Sequence, residues 1–338
     1  MTNTDRAKSR ALRPGDVVEV RSTAEILATL DGDAALANMP FMPEMLRYTG
    51  SRFRVSRRVD KICDTIAYTG SRRLRNTVYL EDLRCDGSSH GGCQAGCKLY
   101  WNEAWLRRVD DDHEGPADRR DDGNGEELAS LANKGARTVR SLEGAPTEVW
   151  RCQATEALKA STHLRGFDIR QYWREMTNGN FGLYEFCRIM ATGIVIEIAV
   201  RLGFSRRLPL RGPGKGPRVS LGLKPGDVVT VRSPGEIAAT LDGSGLDRGL
   251  SFDREMLPFC GQTVRVKDRV VNIVDDKTGR LLNIRKDCLI LEGAVCSGTK
   301  SFGCLYCPRE IHAYWREAWV QSVEKNGERS VIASEQSA

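Results

Sequence analysis

The chain repeats itself: residues 13–109 return, with many substitutions, as residues 224–323. The match begins at Arg-Pro-Gly-Asp-Val-Val in the first copy and Lys-Pro-Gly-Asp-Val-Val in the second, and it ends at a shared Trp-x-Glu-Ala-Trp segment. Such a unit is far longer than a solenoid repeat of roughly 20–50 residues. The duplication therefore predicts two copies of one domain in this chain of 338 residues, a length that suits about two domains.

Both copies are dominated by patterns typical of short β-strands. Each opens with Pro-Gly-Asp, a turn signal, followed by Val-Val-x-Val, a short run of strand-forming residues. A serine with a glutamate three residues later follows in each copy, at Ser22 and at Ser233, and this capping box predicts a short helix. Short strands, glycine-rich turns and one small helix are typical of small, strongly bent barrels. We therefore predict a mainly β fold with an α insert, in which two tandem SH3-like small β-barrel modules flank a helical middle segment.

The composition changes between and around the two copies, and these changes predict the domain boundaries. Residues 110–127 hold nine acidic and two basic side chains with little apolar content, which is typical of a disordered linker. Helical spacing of apolar residues follows, and a basic Gly/Pro run precedes the second copy. The predicted segments are a flexible N-terminus (1–12), a first barrel with a cysteine-rich metal loop (13–109), an acidic disordered linker (110–146), a helical segment (147–204), a basic Gly/Pro linker (205–221), a second barrel with a cysteine-rich loop (222–324) and a flexible tail (325–338).

The most apolar stretch of the chain is residues 181–202. Its length would suit a membrane span, but charged residues such as Glu185 and Arg188 would be expensive in hydrocarbon. We expect no transmembrane span and a helix buried between the two barrels. Peripheral membrane contact through 181–202 is the minor alternative.

Charge and the N-terminal residues bear on compartment and partners. The net charge is +6, but the basic residues are scattered and no aromatic-rich stacking motif accompanies them. A protein or carrier-protein partner is therefore favoured over nucleic acid. The first residues contain no apolar run, so we predict a cytoplasmic protein whose eleven cysteines serve as thiols and metal ligands rather than disulfides.

The first copy carries a glycine-rich loop with cysteines at 85, 93 and 97. A closed structural zinc site needs four ligands, so Cys85, Cys93 and Cys97 require one more. Both Cys63, upstream in a predicted hairpin, and His90, inside the loop, are candidates. The sequence predicts a zinc site here and leaves the fourth ligand open.

The second copy keeps a different set of metal-ligating residues. Cys296 and Cys304 match Cys85 and Cys93 at a constant offset, and a CxxC knuckle typical of zinc sites ends at Cys307. Val274 stands where the first copy has Cys63. The predicted second site consists of Cys296, Cys304 and Cys307, completed by Cys288 or His312.

Cys152 lies outside both loops, after the acidic linker. If it joined the first loop, the number of thiols would exceed what zinc requires, and an iron–sulfur cluster would become the alternative cofactor. His90 and Cys152 are then the candidate catalytic residues. No nucleophile elbow, HExxH or dinucleotide motif is present in the sequence.

Several segments together resemble a family of uncharacterised bacterial proteins: the Lys-Pro-Gly-Asp-Val-Val start, Ala-Thr-Leu-Asp-Gly, the Cys85–Cys97 loop, and the run from Cys307 to Trp319. This family is associated with natural-product and polysaccharide gene clusters. The resemblance implies a cytoplasmic bacterial protein acting in or beside a biosynthetic pathway, and it implies no reaction.

Two function classes follow from these patterns. The first is a zinc-stabilised tandem-barrel scaffold that binds a protein or carrier protein in or beside a biosynthetic pathway. The alternative is a metalloenzyme, with an iron–sulfur cluster or an open-site zinc, that uses the first-module cysteine cluster and Cys152. A nucleic-acid-binding module ranks third. The coordination number of the metal separates the first two, because four protein ligands leave no position for a substrate and three do.

Overall fold

The computed structural model describes residues 11–109, 123–166, 168–202, 210–214, 220–300 and 304–323. The chain divides into two compact units. The first unit contains Met1–Arg206, Val271–Arg285 and Val295–His312, and the second contains Arg207–Val270, Lys286–Ala294 and Ala313–Ala338. Two segments of the second sequence copy therefore belong to the first unit.

The first module is a mainly antiparallel β structure. Its elements are β1 (Val17–Val20), α1 (Thr23–Leu27), β2 (Ala35–Leu36), β3 (Met39–Pro40), a 3-10 turn (Pro43–Tyr48), β4 (Arg52–Arg58), β5 (Lys61–Cys63), β6 (Ser71–Arg73), β7 (Thr77–Leu80), β8 (Trp101–Asn102), a 3-10 turn (Glu103–Trp105) and β9 (Leu106–Arg108). Five of the strands form one sheet in the order β8-β7-β4-β1-β9. Val18 pairs with Phe53 on one side and Arg108 on the other, so the last strand returns beside the first.

The second module repeats this order. Its elements are β13 (Val228–Val231), α6 (Pro234–Thr240), β14 (Leu246–Asp247), β15 (Leu250–Ser251), a 3-10 turn (Leu257–Phe259), β16 (Thr263–Arg269), β17 (Asn272–Val274), β18 (Leu281–Asn283), β19 (Leu289–Val295), β20 (His312–Trp315), a 3-10 turn (Glu317–Trp319) and β21 (Val320–Ser322). Its sheet order is β20-β19-β16-β13-β21. Both central strands carry a register shift at the same place, after Val55 and after Val266. The duplicated sequence therefore folds twice with one strand order.

Both predicted capping boxes form. Ser22 and Ser233 each accept the backbone N–H of a glutamate, Glu25 and Glu236, whose carboxylate in turn accepts the backbone N–H of the serine. Capping of this kind satisfies backbone donors that the first turn leaves unpaired. These short helices are thus determined locally in both copies.

The repeated Trp-x-Glu-Ala-Trp segments form part of each core. The indole of Trp105 is fully buried and its Nε1–H donates to Thr29 Oγ1 at 3.0 Å. Trp319 is also fully buried, and its Nε1–H donates to Thr240 Oγ1 at 2.8 Å. The tryptophans therefore stabilise the two modules in the same way, which agrees with a packing role.

The segment between the modules differs from the predicted linker and helices. Its elements are α2 (Gly125–Gly135), β10 (Arg137–Leu142), β11 (Ala145–Trp150), α3 (Gln153–Glu156), β12 (Thr162–His163), α4 (Arg170–Thr177) and α5 (Leu183–Arg201). The acidic part, 110–122, lies outside the described residues. From Gly125 the predicted linker is structured, because Leu128 and Ala132 of α2 are buried against the first core. The predicted helical segment begins as a β-hairpin, which depends on strand pairing rather than on helical periodicity.

Helix α5 was expected to be buried, but five of its large apolar side chains are exposed: Leu183, Tyr184, Ile194, Val195 and Ile198. It is held at Ile189 and Gly193, which pack near Leu305. Among the described residues, no helix combines the length and apolar character needed to cross a membrane.

Glu175 of α4 gives the first unit a testable pH dependence. Its side chain is buried, and burial raises its pKa to about 7, although the hydrogen bond from Asn180 and the charges of Lys61 and Arg57 oppose this shift; the nearby charge of Asp60 adds to it. The folded state then holds a proton that the unfolded state, with a pKa near 4.5, has released. The contribution of Glu175 to the free energy of unfolding is therefore largest at low pH and is lost as pH rises through 7. The loss is about 2 kcal/mol between pH 5 and pH 7.

We expect Glu175→Gln to remove this pH dependence, because glutamine does not titrate. The variant should still fold, since glutamine keeps an oxygen that can accept the Asn180 amide hydrogen bond, which is 2.7 Å long to Glu175 Oε2. Urea unfolding of wild type and variant at pH 5 and pH 7 measures it. An identical pH dependence in the two proteins would contradict the assignment.

Candidate functional site

Each cysteine loop contacts the hairpin of the other sequence copy. The β5–β6 hairpin presents the backbone N–H of Cys63 to Cys307 Sγ at 3.2 Å. The equivalent β17–β18 hairpin presents the N–H of Val274 to Cys93 Sγ, also at 3.2 Å. Both contacts lie inside the first unit. The sequence-based expectation placed Cys63 with the loop of its own copy, and the structure places it with the loop of the second copy.

The backbone hydrogen bonds of the two loops also correct their alignment. The matching pairs are Gly92 N to Gly87 O (3.0 Å) with Tyr306 N to Gly298 O (2.8 Å), and Cys85 N to Cys97 O (2.8 Å) with Cys296 N to Ile311 O (2.8 Å). Cys93 therefore corresponds to Cys307, not to Cys304 as the constant offset suggested. Cys97 corresponds to Ile311. Cys304 corresponds to His90, because Cys307 N donates to Cys304 O (3.1 Å) as Cys93 N donates to His90 O (3.3 Å).

The first loop and Cys152 surround one cavity. Four cysteines and one histidine line it: Cys85, His90, Cys93, Cys97 and Cys152. Its walls also include Tyr100, Gln153, Asp276 and Arg309. The space inside is about 40 Å³, enough for an ion and a small ligand but not for a drug-sized molecule.

The loop is folded tightly around a glycine. Gly87 has a φ of +71°, and a Cβ at this position would lie 1.9 Å from the carbonyl oxygen of Cys93. Since only glycine avoids that clash and favours this backbone conformation, Gly87 allows Cys85 and Cys93 to share one cavity wall.

Three ligand-type atoms meet beside the cavity. A carboxylate oxygen of Glu44, Cys85 Sγ and a ring nitrogen of His90 all lie within 4.8 Å of one another. Cys85 Sγ donates to Glu44 Oε1 at 2.9 Å, and His90 Nδ1 lies 3.3 Å from the same oxygen. Glu44 comes from the 3-10 turn Pro43–Tyr48, and its side chain and that of His90 are buried.

The hydrogen bond on the other side of the His90 ring determines which ring nitrogen carries the proton. His90 Nε2 lies 3.2 Å from the carbonyl oxygen of Arg151, which can only accept, so this nitrogen carries the proton. In a neutral ring Nδ1 then presents a lone pair toward Glu44. Among the described residues, neither Nδ1 nor Glu44 Oε2 has a hydrogen-bond partner. Two acceptors facing each other in a buried site require a cation or a further proton between them.

Burial is the largest cause of the pKa shifts of the cavity thiols Cys85, Cys97 and Cys152. It raises the pKa of Cys97 and of Cys152 to about 12 in each case, and the charge of Asp276 contributes to both shifts. Burial and the charge of Glu44 also raise the pKa of Cys85. Burial works to raise the pKa of Glu44. When His90 carries the further proton, its charge and hydrogen bond, together with the hydrogen bond from Cys85, outweigh burial and lower that pKa. Without a metal, these thiols hold their protons at neutral pH and Glu44 does not.

The structure thus brings together most of the predicted first site. Cys85, His90, Cys93 and Cys97 meet at the cavity, and the outlying Cys152 joins them. Cys63 lies instead with Cys307.

Two residues of the predicted second site lie elsewhere. Cys288 is buried within the second unit, and burial raises its pKa to about 11. His312 packs beside Gly96 of the first loop, where a Cβ on that glycine would lie 3.1 Å from the imidazole.

Among the polar residues of the cavity region that sequence reasoning missed are Glu44, Asp276 and Arg309. A signal for the first was present, because Glu-Met-Leu occurs in both copies at Glu44 and Glu255. The other two lie on segments of the second copy, and nothing in their local pattern points to the first loop.

Comparison of this chain with protein-family models, with curated proteins and with solved structures found no match in any of the three.

Proposed function

We propose that this protein is a metalloenzyme whose centre is held by Glu44, Cys85 and His90, with zinc as the first candidate metal. The observation that carries the proposal is the convergence of one oxygen, one sulfur and one nitrogen donor within 4.8 Å of one another at a cavity wall. Catalytic zinc sites use three protein ligands and leave a fourth position for water or substrate. There the ion acts as a Lewis acid and makes bound water more acidic.

The surroundings of His90 support a ligand role. A metal-ligating histidine almost always donates its second ring N–H to a carboxylate, carbonyl or water. His90 has this arrangement with the Arg151 carbonyl, which leaves Nδ1 directed at Glu44. A divalent ion bound by Nδ1 and by the Glu44 carboxylate would give Nδ1 the partner that it lacks among the described residues.

The difference between the two hairpins supports an open coordination position. At the contact with the second loop, the first hairpin offers the thiol of Cys63. At the equivalent contact with the first loop, the second hairpin offers only the methyl groups of Val274. The first loop therefore lacks the sulfur that would close a four-thiolate site from this side.

An iron–sulfur cluster is the second candidate for the centre. The observation in its favour is that Cys85, Cys93, Cys97 and Cys152 all line the same cavity, since such clusters are commonly held by four cysteine thiolates. With either metal, the small cavity restricts the substrate to a compact group, and Arg309 on the wall favours a polar or anionic one.

A binding role for the modules is the alternative to catalysis. The sheet order, with the fifth strand beside the first and a 3-10 turn before it, fits SH3-like barrels, which are known to host many functions. Tandem barrels would suit a protein or carrier-protein partner of a cytoplasmic biosynthetic pathway. The metal would then only stiffen a loop.

Anaerobic purification followed by metal analysis tests the proposal. We expect bound zinc in a colourless protein, whereas a brown protein with visible absorption would support the iron–sulfur form. Glu44→Gln is expected to weaken binding at this site by more than the roughly 10- to 100-fold typical of outer-shell changes. Glu255→Gln, at the equivalent buried position of the second module, is the matched control and should leave it unchanged.

Cobalt substitution then separates the two functions. Three protein donors and an exchangeable ligand would give a spectrum that shifts when a small anion such as azide is added. The measurement is made on Cys63→Ser as well, so that the second cysteine loop does not contribute four thiolates; a four-thiolate spectrum of that variant that is insensitive to azide would reject the enzyme in favour of the scaffold. A folded protein free of metal would reject both.

A further inference from the structure

We infer that Cys63, Cys296, Cys304 and Cys307 form a second, purely structural site that binds a soft divalent ion, zinc first, and fastens the second cysteine loop to the first hairpin. This inference does not depend on the proposed function, because the two sites share no ligand.

The sulfur atoms supply the first argument. The thiol of Cys63 interacts with the thiols of Cys304 and Cys307, and Cys296 acts electrostatically on Cys304. Cys304 and Cys307 form the CxxC knuckle typical of structural zinc. The backbone N–H of Cys63 donates to Cys307 Sγ at 3.2 Å, so that the first hairpin lies directly against the knuckle.

Two buried cations supply the second argument. The Lys61 side chain is almost fully buried, and among the described residues its ammonium has no hydrogen-bond partner, only the ring of Tyr172 at 4.4 Å. The thiols of Cys63, Cys304 and Cys307 are among the groups acting on its charge. An isolated buried ammonium is costly unless anions lie close to it.

Arg309 is the other buried cation, and it donates to the carbonyl oxygen of Cys63 at 3.1 Å. Four thiolates around one Zn²⁺ carry a net charge of −2. Lys61 and Arg309 supply two positive charges beside them. With neutral thiols, the compensating charge near these two cations would come from the carboxylates of Glu175, which acts on Lys61, and Asp276, 3.9 Å from Arg309.

Packing over the knuckle supplies the third argument, because it distinguishes a structural site from an open one. Leu305 and Tyr306, the two residues between the knuckle cysteines, are fully buried. Tyr306 stacks on Phe186 at 5.1 Å and donates its hydroxyl to the Phe186 carbonyl at 2.7 Å. Helix α5 thus covers the knuckle, and Gly193 permits the approach, since a Cβ there would lie 2.7 Å from Leu305 Cδ1.

Metal stoichiometry of the full chain tests the inference. We expect anaerobically purified wild type to carry one more ion than Cys63→Ser, which should keep the ion of the Glu44 site. Cys187→Ser, at an exposed free cysteine, is the control and should keep every ion. If the proposed function failed and this inference held, the wild type would carry the ion that depends on Cys63 and no ion that depends on Glu44.

A measurement on the wild type guards against a variant that fails to fold. In native protein, the four site cysteines should resist alkylation until a zinc chelator is added, while Cys187 should react at once. Unchanged stoichiometry in Cys63→Ser, alkylation of the four cysteines that is indifferent to the chelator, or a disulfide between Cys63 and either knuckle cysteine would overturn the inference.

Discussion

Replacing Trp105 by alanine is expected to lower the free energy of unfolding of the first unit by about 3–5 kcal/mol, the range for removal of a large buried aromatic side chain. The indole is fully buried, packs edge-on against Phe41 with ring centroids 5.3 Å apart, and donates to Thr29. The substitution leaves a cavity and an unpaired hydroxyl acceptor, and strand β9 follows directly after it. We expect no compensating contact.

The duplication provides an internal replicate of this experiment. Trp319→Ala should cost the second unit a similar amount, because Trp319 packs against Phe252 at 5.6 Å and donates to Thr240. Trp173→Ala removes an exposed indole and should change stability by no more than about 0.5 kcal/mol. Urea unfolding followed by far-ultraviolet circular dichroism measures all three without relying on tryptophan fluorescence. Equal effects of the Trp105 and Trp173 variants would be incompatible with the core described above.

Replacing Arg309 by methionine is expected to cost the first unit roughly 3–4 kcal/mol, within the range for breaking a buried charge pair. Arg309 Nη1 donates to the carbonyl of Cys63 at 3.1 Å and to Thr65 Oγ1 at 2.9 Å, and Nη2 lies 3.9 Å from Asp276. Methionine fills much of the volume but leaves the Cys63 carbonyl without this donor and the Asp276 carboxylate without its cation, with the Thr65 hydroxyl still donating to that carboxylate at 3.1 Å. The same loss should weaken metal binding by the Cys63 cluster, since one of its two compensating charges disappears.

Two further variants show which part of this effect is electrostatic. Arg309→Met combined with Asp276→Asn should recover part of the lost stability, because the unpaired carboxylate is removed. Arg309→Lys keeps the charge but cannot reproduce the planar fork of donors, so an intermediate loss is expected. Urea unfolding and zinc titration are the measurements. A double variant no more stable than Arg309→Met would show that lost packing, rather than charge, dominates.

Much of the local structure follows from the sequence. The two capping boxes at Ser22 and Ser233 form as predicted, since each needs only residues within one turn. The mainly antiparallel β structure and its duplication also follow from short-range patterns and from the matching segments. The hairpin β10–β11 and the exposure of helix α5 do not, because they depend on pairing and burial partners that local periodicity does not specify.

Part of the candidate site is likewise visible in the sequence, and part depends on tertiary packing. The cysteine loop and His90 are visible in the sequence as a metal-ligand pattern, because their spacing is local. Glu44 reaches the site from a separate 3-10 turn, and its role appears only when that turn packs against the loop. The choice of the three residues Glu44, Cys85 and His90 therefore depends on tertiary packing.

By itself, the sequence determined that this chain contains one module twice, each with capped helices, short strands and a cysteine-rich loop. Only the tertiary structure decided which hairpin each loop contacts, and so placed Cys63 with Cys307 across 244 positions of the chain. The physical reason is that both hairpins carry the same strand and turn signals, Ile-x-Asp followed by Thr-Gly, so that strand propensity and turn chemistry cannot choose between them. That choice depends on long-range packing, which brings the buried charges of Lys61 and Arg309 near Cys63 and Cys307 only in the folded chain.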